Sequence, residues 1–480
     1  MTGRARQPRT RSAYRWHALA ALIAGLLLRL YFLREQTHIQ GDSLVYGDLA
    51  TNILKHHIYG LTEAADIRST LIRLPGYPLL VAACFAVFGV GNYAAVLWLQ
   101  LLLDLAACFL VAALACRLMG ERAGLAALWL AALCPFTANY IAAPLTETSA
   151  VFCAALAFYS LELWAARVRE AATLNAWLWP LGFSLAFAAL LRPDRLLLAF
   201  AVVSAMAWIA RNSHGSGRRR TFAQTVLIAL AVALPLALWG ARNWRVFHVL
   251  QPLAPKSATD PGEFVSHGFD RWYRTWAIDF KSTDDIYWSY DGSPLSLDDL
   301  PSRAFDSELQ REETAALFDR YNQLDSATPA VDAAFAALAA ERIAAHPVRY
   351  YLELPVLRVV NMWLRPRTEM LPLPNDWWRW RARSLASAGT AAYAALNLAY
   401  LILAAVGLWR WRRQAWSDRR ALAFALLAFV LMRSAMLLTL DNSEPRYTID
   451  CYPVVLLLAA FAFVSSRTIK DRHASYAARP

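Results

Sequence analysis

The sequence predicts an all-α polytopic membrane protein of about ten spans with one large loop domain on the outer side of the membrane. Three observations carry that prediction. The 480 residues are 58% hydrophobic, with a mean hydropathy of +0.32. The apolar residues come in repeated runs of roughly 15 to 25, and about 20 suffice for a helix to cross a bilayer. The basic residues gather at the ends of those runs, and one stretch, 242–385, is long, polar and acidic instead.

The net charge of +12 raises the question of a nucleic-acid partner. Its placement answers it, because Lys and Arg at span ends follow the positive-inside rule rather than forming one basic face. All six cysteines (Cys84, Cys108, Cys116, Cys134, Cys153, Cys451) lie in or beside apolar segments without a CxxC spacing. They read as small packing residues, not as a disulfide framework or zinc site. The N-terminus, with Arg4, Arg6, Arg9, Arg11 and Arg15 before an apolar run over 18–33, has the outline of a signal peptide. Arg29 interrupts the run and no small-residue cleavage site follows, so a retained first span is expected. Arg29 itself is expected to snorkel toward the interface.

Taken in order, the arginine clusters constrain the count. Arg117 and Arg122 must lie on the same side as the basic N-terminus, so of the segments 18–33, 76–90 and 92–116 only two can cross. The one expected to lie in the outer interface is 76–90, which opens on Pro75-Gly76-Tyr77-Pro78 and ends at Gly89-Val90-Gly91. Spans are then expected over 123–143, 146–166, 176–191, 196–210, 221–241, 386–409, 419–440 and 446–466, which leaves both termini cytoplasmic. Three regions follow: a membrane module over 1–241 with its first outer loop at 34–91, an extracytoplasmic domain at 242–385, and terminal spans and tail over 386–480.

The loop domain holds more than half of the 36 acidic residues. Helices are expected over 306–321 and 329–346, the second stopping at Pro347. The stretch 348–364 is apolar but carries Arg349, Glu353, Pro355 and Arg358, which suits an interfacial amphipathic helix. The tryptophans Trp272, Trp276, Trp288, Trp377, Trp378 and Trp380 suit stacking on saccharide or contact with the membrane interface.

With this topology Asp42, Asp48, Glu147, Asp194, Asp441 and Glu444 share the outer face with Arg73, Arg192, Arg242 and Arg446. A surface that gathers carboxylates and arginines at one interface suits a phosphate-bearing lipid, since guanidinium clamps phosphate and a carboxylate can act as general base. Each residue also has a structural reading. Asp42 is placed to cap the helix expected after it, and Tyr46, one turn on, to pack in an interfacial belt. Glu147 is placed to complement a helix N-terminus, and Arg446 to pair with Glu444 beside Tyr447. His56 and His57 are adjacent and point apart on a helix, so they are not a metal pair. The chain lacks Walker A, GxGxxG and HExxH sequences, and no metal site or cofactor is expected.

These motifs in this order resemble a known family. A first span is followed by Gly41-Asp42-Ser43-Leu44-Val45-Tyr46 and an amphipathic helix, then by Arg73-Leu74-Pro75-Gly76-Tyr77-Pro78. Pro144-Leu145-Thr146-Glu147 opens a span, and Leu191-Arg192-Pro193, Ala241-Arg242-Asn243 and Glu444-Pro445-Arg446-Tyr447 come after it. The set is similar to the polyprenyl-phosphate-sugar glycosyltransferases of the GT-C fold. Its family 39 branch includes protein O-mannosyltransferases and the aminoarabinose transferases of lipid A. The resemblance covers most of 15–245 and 385–466.

The resemblance implies a GT-C-like bundle in the inner (plasma) membrane with its active site facing the periplasm. Asp42 would be the general base that activates an acceptor hydroxyl, with inversion at the anomeric carbon and a polyprenyl phosphate leaving. Glu147 would be a second catalytic carboxylate. Arg73 would contact the donor phosphate, and Tyr46, Tyr77, Arg192, Arg242, Arg446 and Tyr447 would complete the substrate site. The partners would be a polyprenyl-phosphate-linked sugar and a glycan, lipid or protein acceptor. Ser43 stands where several relatives carry a second acid, which counts against a two-carboxylate metal site. A transporter or flippase of a lipid-linked saccharide is the alternative. Transporters place charged residues and helix breaks near the bilayer midplane, whereas here the acids collect at span ends.

Overall fold

The computed structural model describes residues 9–64, 66–170, 175–324, 326–376 and 384–464. The chain is helical almost throughout, as a multi-pass protein must be when lipid offers the backbone no hydrogen-bond partners. Among the described residues the one sheet is an antiparallel hairpin, Gly60–Glu63 against Asp66–Ser69. Two compact units divide the chain. The first is Met1–Ala258 with Ala399–Leu431 and Ile449–Pro480; the second is Thr259–Leu398 with Met432–Thr448.

Among the described residues seven helices are long and apolar enough to cross a membrane, or eight if one bent pair counts as a span. The expected ten therefore need correction at three places. The stretch 123–143 is broken, with Glu121–Ala132 and Pro135–Ala142 meeting at 48°. Pro135 lacks the N–H that would continue the ladder and starts a new helix. The stretch 176–191 yields only Leu178–Leu191, 14 residues, or about 21 Å of helix. Arg192 leaves the helical conformation and Pro193 opens a short 3-10 turn. The stretch 446–466 is a 3-10 segment, Pro445–Cys451, followed by a ten-residue helix, Tyr452–Phe461. The helix Gly76–Phe88 has 13 residues and ends at Gly89, whose φ is 103°. At about 20 Å it is too short to cross, as expected for 76–90.

Inside the first unit the helices are tied by buried charge. Arg29 does not snorkel. It is fully buried, its Nε donating to Asp104 Oδ2 at 2.6 Å and its Nη1 to the carbonyls of Ala132 at 2.6 Å and Gly25 at 2.9 Å. Asp104 lies mid-helix in Tyr93–Met119, so each charge has its counter-ion inside the protein, the usual condition for ionised groups at membrane depth. Arg195 and Asp450 form a second buried pair at 3.0 Å.

The second unit has an aromatic core. Phe269, Trp272, Tyr273, Trp276, Phe318 and Phe335 pack together, all at most 2% exposed. Trp272 and Trp276 thus serve folding and are not available to stack on a saccharide; Trp288 is about half exposed, and Trp377, Trp378 and Trp380 lie outside the described residues. The expected helices are present as Glu308–Leu324 and Pro329–Ala345. Thr328 caps the latter, its side chain accepting from the Val331 amide. The 348–364 stretch is a π-turn, Arg349–Glu353, leading into Leu354–Leu364. Its Arg358 is buried, donating to the carbonyls of Arg274 and Ala277, while Val348, Tyr351, Leu352, Val356, Leu357, Val360 and Leu364 are exposed. The apolar residues turned outward, with Arg358 turned inward, suit a helix lying in a lipid interface.

Candidate active site

The site is built at the start of the helix Asp42–His56. The cap position belongs to Gly41, whose φ of 53° and ψ of −123° suit a residue without a β-carbon. Its carbonyl accepts from the amides of Leu44 and Val45. Asp42 is the first helical residue, and its carboxylate stands at the positive end of the helix dipole. Arg73 reaches it, with Nη2 2.8 Å from Asp42 Oδ1. Both side chains are about a quarter exposed, at 27% and 24%. Burial lowers the Arg73 pKa, but the charge of Asp42, with Tyr46 and the hydrogen bond, outweighs it and leaves the guanidinium above its ordinary value.

The loop that carries Arg73 is held from two sides. The Tyr59 hydroxyl donates to the Arg73 carbonyl at 3.0 Å. Arg242, from the helix Gly215–Phe247, donates to the carbonyls of Thr70 and Tyr59, each at 2.8 Å. Its guanidinium also lies 4.9 Å from the Trp239 ring centre and 5.3 Å from that of Phe247, within cation–π range. Arg242 therefore anchors the backbone at Tyr59 and Thr70. Asp48 does similar work at the hairpin, accepting from the Thr62 amide at 2.7 Å and the Thr62 hydroxyl at 2.8 Å.

One turn beyond Asp42, Tyr46 is buried and packs edge-on against Tyr77 with ring centres 4.8 Å apart. Tyr77 is fully buried, and its hydroxyl donates to Gln100 Oε1 at 2.5 Å. Gln100 Nε2 in turn donates to the Ala143 carbonyl at 2.8 Å and that of Ile141 at 3.2 Å. This chain of contacts joins the Asp42 helix to the turn just before Thr146–Arg169, where Glu147 sits in the first turn. Glu147 is 2% exposed; Arg192 Nη1 lies 3.9 Å from its Oε1, and Arg192 Nε lies 3.4 Å from Asp194 Oδ1. Burial raises the Tyr46 phenol. Asp42 and Glu147 push it further in that direction, while Arg73 and Arg192 pull against them. Two carboxylates and two arginines thus act on one phenol from the Asp42 loop, the Arg73 loop and the ends of two helices.

Arg446 and Tyr447 belong to the second unit. Arg446 pairs with Glu444, and the Tyr447 hydroxyl donates to Glu444 Oε1 at 2.6 Å. Arg274 of the same unit lies 3.4 Å from Asp441. Ser43 is buried, at 1% exposure. Among the described residues no three His, Cys, Asp or Glu side chains stand together as a metal-binding group. Sequence reading passed over Gln100, although a glutamine inside an apolar 27-residue helix is the kind of intramembrane polar residue that marks a site or its support.

Residues 73–239 match the profile of the dolichyl-phosphate-mannose-protein mannosyltransferase family. The match covers about a third of the chain. It starts at Arg73 and includes Tyr77, Glu147 and Arg192, whereas Asp42 and Arg242 fall outside it. Over this segment the resemblance to GT-C glycosyltransferases is borne out. No curated protein matches the sequence at a significant level.

Among solved structures, the chain is similar to the oligosaccharyltransferase of Archaeoglobus fulgidus. In its apo form the identity is 14% and the TM-score 0.48, over 96% of this chain and 51% of that one. In its complex with zinc and sulfate the values are 13% and 0.44, over 96% and 50%. ArnT from Cupriavidus metallidurans bound to undecaprenyl phosphate is 12% identical with a TM-score of 0.36, over 93% of this chain and 77% of that one. The chain spans about half the length of the oligosaccharyltransferase it matches. The fold and the profile together define a class: a multi-pass, all-α membrane protein whose N-terminal half carries, over 73–239, a mannosyltransferase-family signature.

Proposed function

We propose that the protein is an integral-membrane glycosyltransferase that moves a sugar from a polyprenyl-phosphate donor to a hydroxyl-bearing acceptor at the outer face of the membrane. The observation that carries the proposal is the Asp42–Arg73 pair, 2.8 Å apart and partly exposed, beside Arg192 and Glu147. The family profile, named for a dolichyl-phosphate sugar, supports the donor class.

The chemistry follows from charge. As an acceptor oxygen bonds to the anomeric carbon, its proton passes to the Asp42 carboxylate, and the bond from that carbon to the phosphate oxygen breaks on the opposite face. The configuration inverts. The leaving group is a phosphate, which needs positive charge rather than an acid, so one base plus arginines is a sufficient set. Arg73 rests on Asp42 and is the cation nearest to where the phosphate would arrive. A donor phosphate competes for it bidentately and leaves Asp42 to the acceptor. Glu147, almost fully buried and facing Arg192, orients that second arginine.

The test is transfer by the Asp42→Asn variant of the full chain in membranes. The proposal expects transfer to be lost while the protein is still made and still binds donor; transfer at the wild-type rate refutes it.

A further inference from the structure

The apolar helix Tyr93–Met119 carries few polar side chains, and one of them, Gln100, is fully buried beside the candidate site. An amide buried in such a place is costly unless its groups find partners. Gln100 finds them in two different elements. Its Oε1 accepts from the Tyr77 hydroxyl at 2.5 Å, in the first turn of Gly76–Phe88. Its Nε2 donates to the carbonyls of Ala143 at 2.8 Å and Ile141 at 3.2 Å, in the turn before Thr146–Arg169. One side chain of a third helix thereby ties the other two together.

Both tied elements bear on the site. The Tyr77 ring packs edge-on against Tyr46 and shares a cluster with Ala150 and Leu191. Beside it, Gly76 approaches the backbone of Leu190 so closely that a β-carbon there would overlap it. The helix of Gln100 meets the Asp42 helix a second time at Gly47, where a β-carbon would overlap the Tyr93 hydroxyl. Filling this space does not require polar groups, because replacing both partners of a buried hydrogen bond by apolar groups of the same shape can be nearly neutral. What a satisfied buried network adds is a single, rigid arrangement.

We propose that Gln100 is a positioning residue of the transfer reaction, which locks Tyr77 and the 141–143 turn together and so holds Asp42 and Glu147 in register around Tyr46. The proposal rests on the transferase reading and gives Gln100 no contact with substrate. Gln100 takes no part in the bonds from Tyr59 and Arg242 that hold the Arg73 loop. Its loss therefore displaces the base and leaves the donor clamp in place.

The test compares the full chain with Gln100→Leu, Tyr77→Phe and the double variant in membranes of cells lacking the gene. The probe is the polyprenyl-phosphate sugar extracted from those cells, at limiting and saturating amounts, and product is read by mass spectrometry per molecule of folded protein. Gln100→Leu is expected to lower kcat about tenfold or more, since a misplacement of about 1 Å can cost about a hundredfold, with the donor KM within about threefold of wild type. Tyr77→Phe keeps the ring and is expected to lower kcat severalfold, and to add nothing in the Gln100→Leu background. Wild-type kcat per folded molecule in both single variants, with only the melting temperature lowered, overturns the proposal. So does a loss carried by KM, or a double variant in which the two effects add. Where Gln100→Leu fails to accumulate, Tyr77→Phe decides on the same kcat reading. Asp42→Asn in the same assay separates the two failures. An inactive Asp42→Asn beside unimpaired Gln100→Leu and Tyr77→Phe refutes the positioning role alone, whereas absence of transfer by wild type refutes the transferase reading and this proposal with it.

Discussion

Replacing Asp42 by Asn separates the two roles its position allows, because the structure sets very different magnitudes for them. A structural role is small. The cap is Gly41, so no capping bond is lost. What remains is a carboxylate in the first turn, typically worth about 0.3–1 kcal/mol against the helix dipole. The pair with Arg73 adds little, since both partners are about a quarter exposed and such pairs contribute about 1 kcal/mol or less. These two terms together come to about 2 kcal/mol at most, and Asn keeps the shape. A general base is a larger matter, about 10²–10⁴ in rate, or about 3–5 kcal/mol of barrier. The assay is complementation: a strain lacking the gene receives wild type or the variant, and lipid-linked sugars and surface glycans are quantified by mass spectrometry. The expected variant is present at near wild-type level, with product reduced at least a hundredfold and donor accumulated. Product within threefold of wild type refutes the assignment. So does a loss of product matched by a loss of protein.

Other perturbations probe the surroundings. Arg73→Ala is expected to weaken donor binding about 10–100-fold, the worth of one or two charge-assisted bonds, read by titration with the donor lipid. Arg242→Ala removes two bonds to the Tyr59 and Thr70 carbonyls and is expected to expose the 59–70 loop to limited proteolysis, at a cost of about 2–4 kcal/mol. Arg29→Leu alone leaves Asp104 buried without its partner and is expected to abolish expression, while Arg29→Leu with Asp104→Leu restores it, because removing a whole buried pair is tolerated far better than breaking it. Asp306 gives a pH dependence. Its hydrogen bonds to Arg349, both 2.7 Å, hold its pKa below the ordinary value of 3.8, with Arg342 adding to the effect. The stabilisation is complete above that ordinary value and disappears as pH falls through the lower folded value. The acid branch of the melting curve of Asp306→Asn is therefore expected to be flatter than that of wild type, and superimposable acid branches would contradict the pairing.

What the sequence reveals of this chain is the part that periodicity and charge determine. Long apolar runs mark the spans from 18–33 to 419–440, and Pro329 and Thr328 mark a helix start to within a residue. Its misjudgements have physical reasons. The run 176–191 ends at Leu191 as expected, but its helix of 14 residues, about 21 Å, is shorter than a bilayer core. Arg29 looks like an interfacial residue until Asp104, 75 positions away, is placed against it. The motif order brings together Asp42, Arg73, Glu147 and Arg192, which the structure places around Tyr46. That Arg242 binds backbone, and that Tyr77 is occupied by Gln100, depends on tertiary contacts with no local signal. Trp272 and Trp276 likewise have the composition of a binding surface and the position of a core.

The most direct test of the central claim is the state of the lipid-linked sugar pool in cells lacking the gene, measured leaflet by leaflet with a membrane-impermeant oxidant and mass spectrometry. A transferase acting at the outer face predicts a polyprenyl-phosphate sugar that accumulates in the outer leaflet, beside an acceptor lighter by that one sugar. Accumulation confined to the inner leaflet would contradict it and point to a flippase.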